Sequence, residues 1–148
     1  PPEGDLRPYG MVTLNGDNEA HFSRAIADVY VHNVRILDAT CREFRIDCYF
    51  IWQPTVCSKR VRTAREEEIA ARDCRTTRAA EVLAALRRNP WLRQQPRFFD
   101  LSEAFADVAD PIYLDYCHID EGTAGHRLLA EMIHEIVFPG GGADGPSD

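Results

Sequence analysis

The sequence predicts an α/β fold: a parallel sheet with helices on both faces. Three observations lead there. Elements alternate along the chain as helix, strand, helix, irregular segment, strand and helix. Two short runs, "IDCYFIW" (residues 46–52) and "PIYLD" (111–115), are apolar on both faces, as strands buried in a parallel sheet are. Each is followed by a segment of helical periodicity. Two strands are too few to complete such a sheet, so the chain reads as half a domain.

The elements follow in order. Residues 1–18 are loop-like, with two opening prolines and "GMVTLNGDN". From 19 to 44, Phe22, Ile26, Val29, Tyr30, Val34, Leu37, Cys41 and Phe44 recur every three or four residues. They form one face of a long helix, which Asp17 or Asn18 is placed to cap. The strand at 46–52 is stopped by Gln53-Pro54, and "TVCSKRVR" is a polar loop. Thr63 and Glu66 form a T-x-x-E capping box opening a helix to about Arg88, which Asn89-Pro90 ends. "WLRQQPRFFDLSEAF" is irregular, with Ser102 placed to cap one helical turn. After the second strand, a helix from about Thr123 buries Leu128, Leu129, Met132, Ile133, Ile136 and Val137. Residues 1–138 thus belong to one domain, and the tail 139–148, "PGGGADGPSD", is expected to be disordered.

Composition narrows the function classes. At 148 residues and 45% hydrophobic, the chain can bury a core, and 28% charged residues suit a soluble protein. No run approaches the roughly 18 apolar residues of a membrane span. No signal peptide is recognisable, and the start at Pro1 rather than Met suggests a longer parent polypeptide. Net charge −7 argues against a nucleic-acid partner. Basic clusters at 59–65 and 87–93 are offset by acids and read as solvated helix faces. Five cysteines make an odd count with no C-x-x-C, so a zinc ribbon is not expected. Cys41 and Cys48 read as small buried hydrophobes. Cys57 and Cys74 flank a loop and are able to pair in an oxidising compartment, so cytoplasmic and secreted locations both stay open.

The candidate site is the turn Asp115-Tyr116-Cys117-His118. A nucleophilic hydroxyl needs a base within hydrogen-bonding reach, and that base needs a group to hold its tautomer. Histidine suits the base role, and an aspartate three residues earlier can accept the Nδ1 hydrogen while Nε2 faces a cleft. Sites in parallel α/β folds form at the carboxyl ends of strands, where "PIYLD" delivers Asp115. Spacing alone favours an aspartate at a helix entry beside a surface histidine over a catalytic pair.

Further residues bear on that choice. Asp115-x-x-His118 follows a short apolar stretch and precedes Gly125 and a helix carrying Ala130. Upstream stand "FFDLSEAFADVADPIYLDYCH" and "YFIWQP", the latter followed by a basic loop and "TAREEE". In this order the chain resembles the C-terminal half of SGNH hydrolases, the GDSL-type esterases and lipases, over about 120 residues. The resemblance implies a three-layer α/β/α, flavodoxin-like fold, with His118 as general base and Asp115 orienting it. It implies a serine-dependent carboxylic ester hydrolase, possibly an acyl transferase, acting on a lipid, sugar or aryl ester without cofactor or metal. Gln53 matches a position near a strand end. Two departures stand out. Gly125 lies seven residues beyond the histidine rather than five, implying an insertion or a helix start at Gly122. The Gly-Asp-Ser block, the oxyanion-hole glycine and the Gly-x-Asn-Asp block are absent, and "NGDN" at 15–18 does not replace them. Ser23, Ser58, Ser102 and Ser147 lack the strand-to-helix setting of a nucleophile. The serine is therefore expected on an N-terminal half of the domain or on a partner chain.

Two rival readings remain. His118, Asp120, Glu121 and His126, with His134 beyond, are zinc-competent donors, but no H-E-x-x-H organises them. Asp120 and Glu121 also suit the positive end of the last helix. Alternatively, the chain is a non-catalytic interaction module derived from a hydrolase half.

Overall fold

A computed structural model describes residues 19–140. Its elements are α1 (Glu19–Phe44), β1 (Phe50–Trp52), a 3-10 turn (Val56–Ser58), α2 (Ala64–Thr77), α3 (Ala79–Arg88), the single-turn α4 (Pro90–Arg93), β2 (Phe98–Asp100) and α5 (Gly125–Val137). β1 and β2 pair in parallel, with Phe50 opposite Phe98 and Trp52 opposite Asp100. The helices between them form the crossover of one β-α-β unit. The chain is a mixed, mostly helical fold around a two-stranded parallel sheet. Among the described residues no helix is long and apolar enough to cross a membrane. Asp17, Asn18 and most of the 139–148 tail lie outside the described residues.

The strands differ from those expected. The partner of β1 is Phe98–Asp100, inside the segment read as irregular; three residues are too few to display a period. "PIYLD" is not a strand. The backbone N–H groups of Ile112 and Tyr113 donate to the Glu66 carboxylate, at 2.9 and 3.3 Å, instead of to a neighbouring strand. Only an isolated antiparallel bridge, Tyr113 to Ile119, forms there. β1 begins at Phe50 rather than residue 46 because the preceding segment is tied back to α1. Cys41 and Cys48 are bonded to each other, not buried thiols, across a separation of seven residues. Cys57 and Cys74 also pair, joining the 3-10 turn to α2. Closing a loop of that length stabilises by about 3 kcal/mol in a chain-entropy picture.

The helices also depart from their patterns. α1 has the expected bounds, but its buried line is Ser23, Ala27, Val31 and Val34. Small residues there let α1 approach α3, whose Val82 and Leu86 complete a core with Leu92. Tyr30 meets Trp52 edge-on beside this core. Ile26, Val29, Leu37 and Phe44, read as part of the inward face, are exposed; Val29 and Phe44 are 61% and 69% accessible. The helix expected from Thr63 to Arg88 is broken at Arg78, which adopts the left-handed conformation and separates α2 from α3. The sequence just before it, Thr76-Thr77, has low helix propensity. Ser102 caps no helix. It is buried and its Oγ accepts from Arg87, while Asp100 Oδ1 accepts the Ser102 N–H. The apolar residues of α5 are half-buried rather than buried, for only one side of the helix meets the second core.

That second core, Val56, Ile69, Ala70, Phe105, Ile112 and Tyr113, surrounds a buried ion pair. The capping box forms as expected: Thr63 Oγ1 accepts the Glu66 N–H, and Glu66 Oε2 accepts the Thr63 N–H at 2.9 Å. Glu66 does more. Lys59 Nζ donates to Oε1 at 2.8 Å, to Oε2 at 2.6 Å and to the Asp110 carbonyl at 2.7 Å. Both side chains are at most 1% exposed. The segment read as a polar loop therefore hides the chain's single lysine. Burial opposes ionisation of Glu66, yet donors from Lys59, Thr63 and Ile112 outweigh it and hold the carboxyl below its ordinary value.

Glu66→Ala strips the buried Lys59 ammonium of its counter-charge and takes the acceptor from three backbone N–H groups, those of Thr63, Ile112 and Tyr113. It should lower the unfolding free energy by about 3–5 kcal/mol in urea titration. Because the folded carboxyl titrates below the unfolded one, its stabilisation is present above about pH 4.3 and is lost as pH falls through the folded value. The wild-type chain should lose stability on acidification more steeply than the variant.

Candidate functional site

The turn at 115–118 is the tip of a small hairpin. The Leu114 N–H donates to the His118 carbonyl at 2.9 Å and the Asp120 N–H to the Ile112 carbonyl at 2.8 Å, around the Tyr113–Ile119 bridge. Its base is held by Glu66 through Ile112 and Tyr113. Its tip is held by the Val56 N–H, which donates to the Tyr116 carbonyl at 3.1 Å. Val56 follows β1 by four residues, so the tip lies beyond the carboxyl end of that strand. Sites of α/β folds form at such strand ends.

Asp115 and His118 meet as the spacing suggests. His118 Nδ1 lies 2.8 Å from Asp115 Oδ2 and 3.0 Å from Oδ1. Oδ1 also accepts the backbone N–H groups of Cys117, at 3.0 Å, and His118, at 2.9 Å. The His118 backbone donor, then its ring, then the Cys117 backbone donor hold the Asp115 carboxyl down at about 2. Ionised, the carboxylate is acceptor-only, so the Nδ1 facing it carries the hydrogen, and in the neutral ring Nε2 keeps its lone pair. The imidazole is 75% exposed. A histidine oriented in this way is able to accept a proton at Nε2.

A shallow cleft of about 640 Å³ opens beside the ring, lined by Leu114, Cys117, His118, Glu121, His126 and Leu129 among others. His126 shares this cleft with His118. His134 does not, and its ring lies against Phe138. Asp120 is engaged in the entry to α5: Oδ1 accepts the Gly122 N–H and its carbonyl accepts the Thr123 hydroxyl. α5 begins at Gly125, not Gly122. Two serines read as unsuited to nucleophilic attack are occupied elsewhere. Ser58 Oγ donates to the carbonyls of Thr55 and Ser102, and Ser102 Oγ accepts from Arg87. Ser147 lies outside the described residues.

No family model, curated protein or solved structure gives a match to this chain.

Two features of the turn escaped the sequence reading. Cys117 is the one cysteine without a disulfide, and the Gln53 side chain hydrogen-bonds its thiol, linking the end of β1 to the turn. The Lys59–Glu66 pair was visible only as a capping residue and a basic loop. A lone lysine among sixteen arginines was the available signal, for Lys rather than Arg ends in a compact ammonium that fits a small buried cage.

Gly125 is buried where α5 passes the hairpin. A Cβ there would stand 2.6 Å from Ile119 Cγ2 and 3.0 Å from Ile112 Cγ2. Both are branched side chains of the hairpin, so the hairpin has to give. Gly125→Ala should cost about 1–3 kcal/mol in urea unfolding. It should also move the His118 ring resonances in an NMR spectrum, whereas Gly122→Ala, with open surroundings, should leave both nearly unchanged.

Proposed function

We propose that this chain supplies the histidine base and the orienting aspartate of a serine-dependent carboxylic ester hydrolase or acyl transferase of the SGNH type. The observation carrying the proposal is the bond from Asp115 to His118 Nδ1, with the carboxylate itself held by two backbone N–H groups. On this reading the full domain is a three-layer α/β/α sandwich. The chain contributes its C-terminal half, and the serine and oxyanion donors come from an N-terminal half or a partner chain. Two features support an incomplete domain: among the described residues β1 has a strand on one edge only, and the apolar residues Val29, Ile36, Leu37 and Phe44 of α1 are exposed.

The chemistry follows from the dyad. His118 Nε2 accepts the serine proton as the hydroxyl attacks the ester carbonyl, and Asp115 stabilises the resulting imidazolium. The tetrahedral oxyanion collapses, the imidazolium protonates the departing alcohol, and an acyl-enzyme remains. Water, deprotonated by the same nitrogen, releases the acid; a second alcohol in its place gives transfer. The substrate is a small ester of lipid, sugar or aryl type, and the reaction requires no cofactor.

A second reading, a non-catalytic interaction module, is favoured by the occupied states of Ser58 and Ser102. Reconstitution separates the two. The isolated chain should show no ester turnover and no labelling by a fluorophosphonate. Joined to the remaining half, it should turn over an aryl ester, and His118→Ala should lower kcat by about 10³-fold or more. Asp115→Asn should lower it less, by favouring the wrong tautomer. His126→Ala, His134→Ala and chelator should not lower it. Full rate after His118→Ala would reject the dyad, and a reconstituted domain without turnover would leave the binding module.

A further inference from the structure

The turn holds a third donor that the esterase reading leaves unused. One donor atom each from Asp115, Cys117 and His118 lie within 4.8 Å of one another. The other four cysteines are paired, so Cys117 keeps a thiol even where disulfides form. Within the carboxylate, Oδ1 accepts two backbone N–H groups and Oδ2 lies 2.8 Å from the imidazole Nδ1. A thiolate, an imidazole and a carboxylate are the donors zinc takes, and in its tetrahedral shell donors stand ~3.4 Å apart. All three side chains belong to one four-residue turn. Cys117 and His118 line the open cleft, which gives an ion a path in from solvent.

We propose that Asp115, Cys117 and His118 form a zinc site, with Asp115 Oδ2, Cys117 Sγ and His118 Nδ1 as ligands, and that occupation switches the dyad off. Zinc takes the position of the hydrogen now shared between Nδ1 and Asp115. The thiol releases one proton to solvent as Sγ binds. The Nδ1 proton also leaves, and Nε2 takes one up, so one proton is released per zinc. The bound imidazole is then the Nε2–H tautomer, and the nitrogen that would accept a serine proton has no lone pair left. The metal is an inhibitor here and takes no part in catalysis. The site stands on the turn alone; only its consequence for catalysis rests on the esterase reading.

The test uses the 148-residue chain with its disulfides intact and no reductant. Cobalt(II) serves as a spectroscopic probe, with zinc as competitor. One equivalent of cobalt should produce a thiolate-to-metal charge-transfer band in the near ultraviolet, which zinc should abolish. Cys117→Ser should remove the band and weaken zinc binding about tenfold or more in calorimetry. In ¹⁵N-resolved NMR, the His118 ring proton should move from Nδ1 to Nε2 on zinc addition. Absence of the band, or equal zinc affinity in Cys117→Ser, would overturn the site and assign any binding to His126 or another surface donor. A ring that keeps Nδ1–H with zinc bound would overturn the switch. No ester turnover enters these readouts, so a failed zinc site leaves the esterase proposal standing and a failed esterase leaves the zinc site standing.

Discussion

The buried Lys59–Glu66 ion pair is the interaction on which the functional end of this molecule depends. A carboxylate and an ammonium, both out of water, are costly unless every lone pair and hydrogen is used. Here they are used. The ammonium reaches two carboxylate oxygens and one carbonyl, and the carboxylate also receives the helix-capping N–H of Thr63 and the N–H groups of Ile112 and Tyr113. One side chain thereby fastens the start of α2, the loop after β1 and the root of the 112–120 hairpin to a single point. Without it the root of the Asp115–His118 turn loses its tie to α2 and to the loop after β1.

The turn itself is built differently. Its internal order is local: an aspartate accepting N–H groups two and three residues onward, a ring folded back on the same carboxylate, and a bridge closing the loop behind them. Such a unit forms with little help from distant residues, and it leaves the imidazole in solvent. The division of labour is physically sensible. Exposure leaves the imidazole open to solvent, while the buried carboxylate of Glu66 holds the root of the hairpin from beneath. The same locality places Cys117 beside the dyad, because three donors in four residues of a tight turn have nowhere else to go.

Outside the site, two disulfides replace contacts that a larger core would provide. Cys41–Cys48 ties the end of α1 to the approach of β1, and Cys57–Cys74 ties the 3-10 turn to α2. Arg87 adds a polar clamp, joining α3 to Asp100 at the end of β2 and to Glu103 beyond it. Such ties suit a sheet of two three-residue strands, whose few ladder hydrogen bonds hold little by themselves.

Local rules sufficed for several features. The bounds of α1, the Thr63–Glu66 capping box, the stop at Asn89-Pro90 and the Asp115–His118 contact each depend on residues whose spacing or chemistry is written in the chain, whereas the pairing of Cys57 with Cys74 was left open by it. Tertiary structure decided the rest. Which face of α1 is buried depends on α3, because it is the small-residue line Ser23, Ala27, Val31 and Val34, not the larger apolar residues, that lets the two helices approach. Whether Phe98–Asp100 or 111–115 pairs with β1 depends on where the Glu66 carboxylate lies, since N–H groups that find a buried carboxylate are lost to a strand ladder. Cys41 and Cys48 became a disulfide because the chain turns back after α1, a reversal that neither cysteine announces. The sequence alone determined the residue types and the local turn that make the dyad; only the assembled fold, through one buried ion pair, decided where that dyad stands.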